Sequence, residues 1–185
     1  MSDRKNRVCP VELAGGLDNR FRRWIQNPTK ILAPYIKEGM IALDLGCGPG
    51  FFSIELAKLV GQTGKVIAAD LQDGMLQKLR NKIQGTELEQ RITLHLCQPD
   101  KIGVVDTVDF VLLFYMVHEI PEPHRLFSEL SAIVKPEGRM LIIEPIFHVS
   151  NKMFKHTIQL TQTAGFIAIE RPKVLFSKSV LLQKK

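Results

Sequence analysis

The heptapeptide Asp44-Leu45-Gly46-Cys47-Gly48-Pro49-Gly50 constrains the fold of this chain more than any other segment. It follows an apolar run, residues 40–45 (MIALDL), and precedes FFSIELAKLV, in which Phe52, Leu56, Leu59 and Val60 recur at helical spacing and Gly61 gives a stop. A buried strand therefore turns through glycines into a helix. Glycine has no Cβ, so such a turn lets a ligand approach the backbone closely. In an open α/β sheet that ligand sits outside the carboxyl ends of the strands.

The rest of the chain repeats this alternation. Lys65 to Ala69 reads as a second strand ending at Asp70, and Asp73 is placed to cap a helix through Met75, Leu76, Leu79 and Ile83 that closes at Gly85. Arg91 to Leu96 is a third strand and Val108 to Tyr115 a strongly apolar fourth. Pro121 opens a helix that carries Leu126, Phe127, Leu130 and Val134. Lys135-Pro136-Glu137-Gly138 is a turn, and Arg139 to Ile143 a fifth strand. Ser150 caps a helix that runs to Ala164 and stops at Gly165; Phe166 to Glu170 and Val174 to Leu182 close as a pair of strands. Alternating elements imply βαβ units and a mainly parallel sheet covered on both faces. Residues 1–39 fall outside the alternation and read as an N-terminal helical arm, with Leu17 to Trp24 and Asn27 to Ile36 helical and Pro28 at the first helical position. Residues 40–185 form the globular domain that carries the site.

Composition narrows the class. The 185 residues suit one domain with a real core. No apolar run approaches the ~20 residues of a membrane span, and Met1 to Arg7 lacks the apolar stretch of a signal peptide, so a cytoplasmic protein is expected. Cys9, Cys47 and Cys97 form no CxxC pair, which points to reduced thiols and no metal site. The net charge is +6, with basic residues concentrated towards the ends. Such an excess can attract anionic substrates, lipids or nucleic acid, but no RNA-binding signature is present and nucleic acid is not an expected partner.

Two ligands compete for the glycine loop. A dinucleotide fingerprint is GxGxxG, with pyrophosphate on the helix N-terminus; here the glycines fall as GxGxG and Phe51 takes the sixth position. Asp44 stands two residues before the first glycine. A carboxylate there is poorly placed beside pyrophosphate and well placed for a cation. Asp70, 24 residues after Gly46, is positioned to accept hydrogen bonds from ribose hydroxyls. S-adenosylmethionine, with an ammonium, a sulfonium and no phosphate, is the better match in charge.

These segments resemble a known family. LDLGCGPG resembles the first motif of class I S-adenosylmethionine-dependent methyltransferases and AADLQ the second; VDFVLLFYMVHEI, VKPEGRMLIIEP and TAGF resemble the motifs around strands four, five and six. The likeness covers roughly residues 30 to 182 and is closest to the ubiquinone/menaquinone-biosynthesis type and related small-molecule methyltransferases. It implies a Rossmann-like seven-stranded sheet in the order 3-2-1-4-5-7-6 with strand seven antiparallel. It also implies that Asp44 and the loop Gly46, Cys47, Gly48 and Gly50 hold the methionine end of the cofactor, that Asp70 holds the ribose, and that Leu71 lies against the adenine. Gln98, Pro99 and Asp100 occupy the region that reads the adenine edge. Members often have Asp followed by a small residue with a free N–H there, whereas proline has none; either Asp100 or the Gln98 amide does that work, or the contact is lost.

The reacting end is expected near the end of strand four, at Phe114, Tyr115, His118 and Glu119, with Glu144 and His148 closing strand five beside it. Methyl transfer from a sulfonium is mainly a matter of alignment, and a base is needed only when the nucleophile arrives protonated. His118, with an unperturbed pKa near 6.5, is the candidate base; the alternative is that it packs beside the cofactor. His118, Glu119, Glu144 and His148 also read as a metal set, a reading disfavoured because sulfonium chemistry needs no metal. Strand four lacks the Asn/Asp-Pro-Pro-Tyr/Phe signature of exocyclic or amide nitrogen methylation, and the absence of a recognition domain argues against a macromolecular substrate. A small-molecule acceptor, left unidentified, is the expected partner. By analogy with the family, Trp24 and Leu17-Asp18-Asn19-Arg20 fold over the cofactor. The competing readings are a non-catalytic S-adenosylmethionine-binding module and an NAD-dependent oxidoreductase, the latter weakened by Phe51.

Overall fold

In the computed structural model of the chain, residues 26–185 are described; the expected helix Leu17 to Trp24, the segment Leu17 to Arg20 and Cys9 lie outside them. The elements in order are α1 (Pro28–Leu32), β1 (Ile41–Leu45), α2 (Ser53–Leu59), β2 (Lys65–Asp70), α3 (Asp73–Ile83), β3 (Ile92–Leu96), β4 (Val108–Phe114), a 3₁₀ turn (Val117–Glu119), α4 (Pro123–Ile133), β5 (Val134–Pro145), α5 (Asn151–Thr163), β6 (Phe166–Glu170) and β7 (Ser177–Lys184). The strands form one sheet in the order β3-β2-β1-β4-β5-β7-β6. The pairs β3-β2, β2-β1, β1-β4 and β4-β5 are parallel, and β7 runs antiparallel to both neighbours. This is the expected Rossmann-like architecture.

Strand alternation divides the core between the two faces. Ala42, Val66, Ala68, Phe110 and Leu112 meet Leu56 of α2 and Leu76, Leu79 and Ile83 of α3 on one side. Leu43, Ile67, Ala69, Val111 and Leu113 meet Phe127 and Leu130 of α4 and Phe154 and Ile158 of α5 on the other. Each large side chain so buried contributes roughly 1.5–3 kcal/mol of transfer free energy. Leu32, Tyr35 and Ile36 join the first of these clusters.

Several details differ from the sequence reading. The helix expected to open at Pro121 and carry Val134 runs from Pro123 to Ile133, and Val134 opens β5. The helix expected over Asn27 to Ile36 ends at Leu32, because Pro34 has no N–H with which to continue the helical hydrogen bonds. Asp73 is the first residue of α3 and not its cap; Gln72 takes the cap position. The Lys135–Gly138 turn lies inside β5 as a bulge: Val108 pairs with Val134 and Phe110 with Arg139, so the intervening residues loop out, with Glu137 at φ 63°. Finally, β7 begins at Ser177 and not at Val174, after Phe176 at φ 55°.

Candidate active site

A cleft of about 920 Å³ opens at the carboxyl ends of β1, β2, β4 and β5. The glycine loop forms one wall. Gly46 and Cys47 both donate N–H to the Ala69 carbonyl, at 2.8 and 3.1 Å, which ties the loop to the end of β2. Asp70 secures it again: its carboxylate accepts from Gly48 N–H at 2.8 Å and Gln72 N–H at 2.9 Å. Burial raises the Asp70 pKa against the opposing pull of these N–H groups. Gly50, at φ 87°, is packed on α3, and a Cβ there would lie 2.3 Å from Leu79 Cδ1. Gly48, at φ 52°, has no atom within 4 Å of its missing Cβ, so it presents bare backbone to open space.

Asp44 is almost wholly buried below the loop, and its Oδ2 accepts from Ser53 Oγ at 2.5 Å. Cys47 and Cys97 are free thiols lining the same cleft. Burial pushes the first well above its ordinary pKa and the second up to about 12, so both stay protonated and weakly nucleophilic. Gln98-Pro99-Asp100-Lys101 is a tight turn closed by two backbone bonds, Gln98 N–H to Lys101 O at 2.9 Å and Lys101 N–H to Gln98 O at 3.2 Å. The Gln98 main chain is thereby used, while Asp100 reaches across to Arg125 at 3.6 Å. Leu71 stands partly exposed at the lip.

The opposite wall follows β4. Phe114 packs on Phe52 with ring centroids 4.4 Å apart and on Tyr115 at 4.2 Å. Tyr115 ends the strand because its φ is 57°, an uncommon conformation for an aromatic residue. Its N–H still bonds Ile143 O at 2.8 Å, and its hydroxyl accepts from Gln26 Nε2 at 2.7 Å and shares a 2.6 Å bond with Ser177 Oγ. The chain then makes one 3₁₀ turn that carries His118 and Glu119 into the cleft. His118 Nδ1 lies 2.6 Å from Oε2 of Glu144, and the other Glu144 oxygen accepts from Val117 N–H at 3.0 Å. Glu144 is 1% exposed. Its hydrogen bond raises the His118 pKa, against the lowering effect of burial. Burial also raises Glu119.

Of the site residues singled out above that the structure describes, all but Gly50 and Glu144 line one cleft; Gly50 stands behind the loop on α3, and Glu144 is buried behind His118. Sequence reasoning grouped Glu144 with possible metal ligands and did not pair it with His118. The available signal was an acid closing an apolar strand, as Asp44 closes β1. Gln26 and Ser177 were missed, since their contacts with Tyr115 join distant segments; Ser53 was missed although it stands only nine residues after Asp44. Among the described residues, no three His, Cys, Asp or Glu side chains gather to hold a metal ion.

A family model described as a methyltransferase domain matches residues 36–178. The chain belongs to that family. Demethylmenaquinone methyltransferases of Bacillus cereus and Bacillus anthracis are each 29% identical to it over 125 residues, 68% of this chain and 52% of theirs; the chain therefore spans about half the length of these curated relatives. Among solved structures, an S-adenosylmethionine-dependent methyltransferase from Aquifex aeolicus superposes with a TM-score of 0.86 at 27% identity, covering 96% of this chain and 100% of that one. Fibrillarin from Aeropyrum pernix, crystallised with natively bound S-adenosylmethionine, shares the fold at 14% identity and a TM-score of 0.65, over 79% of this chain and 67% of its own. Family and fold together place the chain among class I methyltransferases, whose cofactor is S-adenosylmethionine. No helix among the described residues is long and apolar enough to cross a membrane.

Proposed function

We propose that the protein transfers the methyl group of S-adenosylmethionine to a small organic acceptor whose nucleophilic atom arrives carrying a proton, and that His118 removes this proton. The observation that carries the reading is the 2.6 Å contact between Nδ1 of His118, which lines the cleft, and the Glu144 carboxylate buried behind it. A carboxylate there holds the imidazole with Nδ1 protonated, which leaves Nε2 as the basic nitrogen. Glu144 acts through His118 and is a positioning residue. Tyr115, whose hydroxyl is already shared between Gln26 and Ser177, is a positioning residue too. Glu119 lines the cleft next to His118, in position to hydrogen-bond the acceptor.

The other wall fits the cofactor. Six acids, Asp44, Asp70, Asp100, Glu119, Glu122 and Glu129, line the cleft against Lys101 and Arg125, which suits a cationic ligand. Asp44 and the loop of Gly46, Cys47 and Gly48, with Gly48 bare to open space, suit the methionine end, and Gly50 sets the path of the loop. Each Asp70 oxygen keeps a lone pair beyond its backbone bond for a ribose hydroxyl. Leu71 and the Gln98-Pro99-Asp100 turn border the place for the adenine, and Phe114 backs the centre. The group supplies an activated methyl on sulfur, so the protein's task is to align the acceptor and take its proton. The names of the Bacillus relatives support an acceptor of small organic type.

Calorimetry with S-adenosylhomocysteine tests the cofactor half. Micromolar-range binding that weakens sharply in Asp70→Ala is expected; a wild-type chain that binds neither S-adenosylmethionine nor its product would end the reading. Once an acceptor is found by screening phenols and acidic C–H compounds, His118→Gln should lose turnover while keeping product affinity.

A further inference from the structure

Residues 145–185 contain seven lysines and arginines and one acid, Glu170, a balance equal to the +6 of the whole chain. The one acid, at the end of β6, accepts from the Tyr35 hydroxyl at 3.1 Å. Topology gathers most of this charge at one end. β5 delivers Pro145 to the mouth of the cleft, α5 starts beside it at Asn151, and β6 runs back to the same end before β7 begins at Ser177. Lys152, Lys155, Arg171, Lys173 and Lys178 therefore lie at the cleft end of the sheet. None of these five pairs with a carboxylate among the described residues.

Within that ring of charge is an exposed apolar cluster. Phe147 is 78% exposed, Leu175 54% and Phe176 50%, with Ile146 and Met153 also open. The Phe147 and Phe176 rings are 6.2 Å apart, and Ile146 N–H bonds Phe176 O at 3.1 Å, so the two loops present one surface. Phe176 holds its ring outward from a left-handed backbone that favours glycine. Contiguous exposed aromatics of this kind mark an interaction site.

We infer that this face, Ile146, Phe147, Leu175 and Phe176 ringed by lysines, seats the protein on an anionic lipid surface. The rings enter the headgroup boundary while the lysines meet phosphates, a combination in which apolar burial and electrostatic attraction add. Aromatic side chains separate this face from a purely electrostatic site, and the excess of seven basic residues over the single acid Glu170 separates it from a protein contact of mixed charge. Pro145 and His148 belong to the cleft wall. Resting on the methyl-transfer reading, seating there also lets a lipid-borne acceptor enter the cleft without crossing water.

Co-sedimentation of the full chain with sucrose-loaded vesicles decides the matter. Vesicles containing about one-quarter phosphatidylglycerol should bind at least about tenfold more tightly than pure phosphatidylcholine at about 0.1 M salt, and less so as salt rises. Lys152→Glu with Lys155→Glu should remove the anionic preference, and Phe147→Ser should weaken binding to both vesicle types, with S-adenosylhomocysteine affinity unchanged in each. Equal wild-type binding to both vesicles, no binding, or tighter binding to single-stranded RNA that displaces the vesicles would overturn the inference. The wild-type result stands whether or not the variants fold. Failure here with intact S-adenosylhomocysteine binding leaves the methyltransferase reading untouched, and the reverse result separates the two in the other direction.

Discussion

The two walls of the cleft are built from different material. At the ends of β1 and β2 the main chain does the work: loop N–H groups bond Ala69 and Asp70, and the glycines supply the path. At the ends of β4 and β5 side chains from distant segments do it: His118 with Glu144, and Tyr115 with Gln26 and Ser177. A wall of backbone tolerates change in neighbouring side chains and fails when its path is altered. A wall of side-chain pairs keeps its path under substitution and loses its chemistry. The first kind suits a constant ligand, the second a particular acceptor.

The largest expected effect breaks the second wall without touching the first. His118→Gln should lower kcat by about 10²–10⁴, roughly 3–5 kcal/mol of barrier, the usual contribution of a general base. The Kd for S-adenosylhomocysteine should change little, and thermal stability should fall only by what the contact with Glu144 supplies. A parallel loss of product affinity would instead put His118 among the residues packed beside the cofactor.

Next comes a break in the first wall. Gly50→Ala must place a Cβ at φ 87° and 2.3 Å from Leu79, costing about 2–4 kcal/mol in backbone strain and overpacking. For a chain of this size that is a fall in Tm of about 6–12 °C. The signature is a stability loss with a weakened cofactor site and an unchanged pH profile in whatever activity remains.

These two substitutions also show what could be read from the chain. The glycine wall was legible because its parts are contiguous: strand, loop and helix stand within one stretch, and Asp70 ends the next strand. The strand order came through resemblance, since periodicity does not say which strands are neighbours. The His118–Glu144 pair was not read because 26 residues separate its members, and only the pairing of Phe114 with Ile143 brings them together. The Gln26–Tyr115–Ser177 group was less legible still, joining three segments with no shared motif. Local errors had local causes, Pro34 shortening α1 and the Lys135–Gly138 bulge remaining within β5.

A subtler change sharpens the comparison through pH. Glu144 raises His118 above its ordinary value near 6.5, and a base must be neutral to act. The acid limb of kcat/KM should therefore lie above pH 6.5. Glu144→Gln removes the charge and should move that limb to lower pH. It should lower kcat as well, because an amide cannot accept from both Val117 N–H and His118 Nδ1–H as the carboxylate does. Stability runs the other way. A raised folded-state pKa means that the folded protein binds the proton more tightly than the unfolded chain. The stabilisation is full below about pH 6.5 and fades as pH rises through the folded value. Urea midpoints taken across pH should show this fading in the wild type and not in the Gln variant. An acid limb that stays in place would assign the titration to another group.

The smallest effect separates two residues of the same wall. Tyr115→Phe keeps the ring on Phe114 and removes only the hydroxyl shared with Gln26 and Ser177. Ser177 Oγ retains its bond to Leu175 O at 3.1 Å, so the loss should be about 1 kcal/mol of stability or less and a drop in kcat of a fewfold. A phenol serving as the base would predict a loss as large as that of His118→Gln. Steady-state kinetics on the two variants with one acceptor therefore distinguish a side chain that holds the wall in shape from the one that moves the proton.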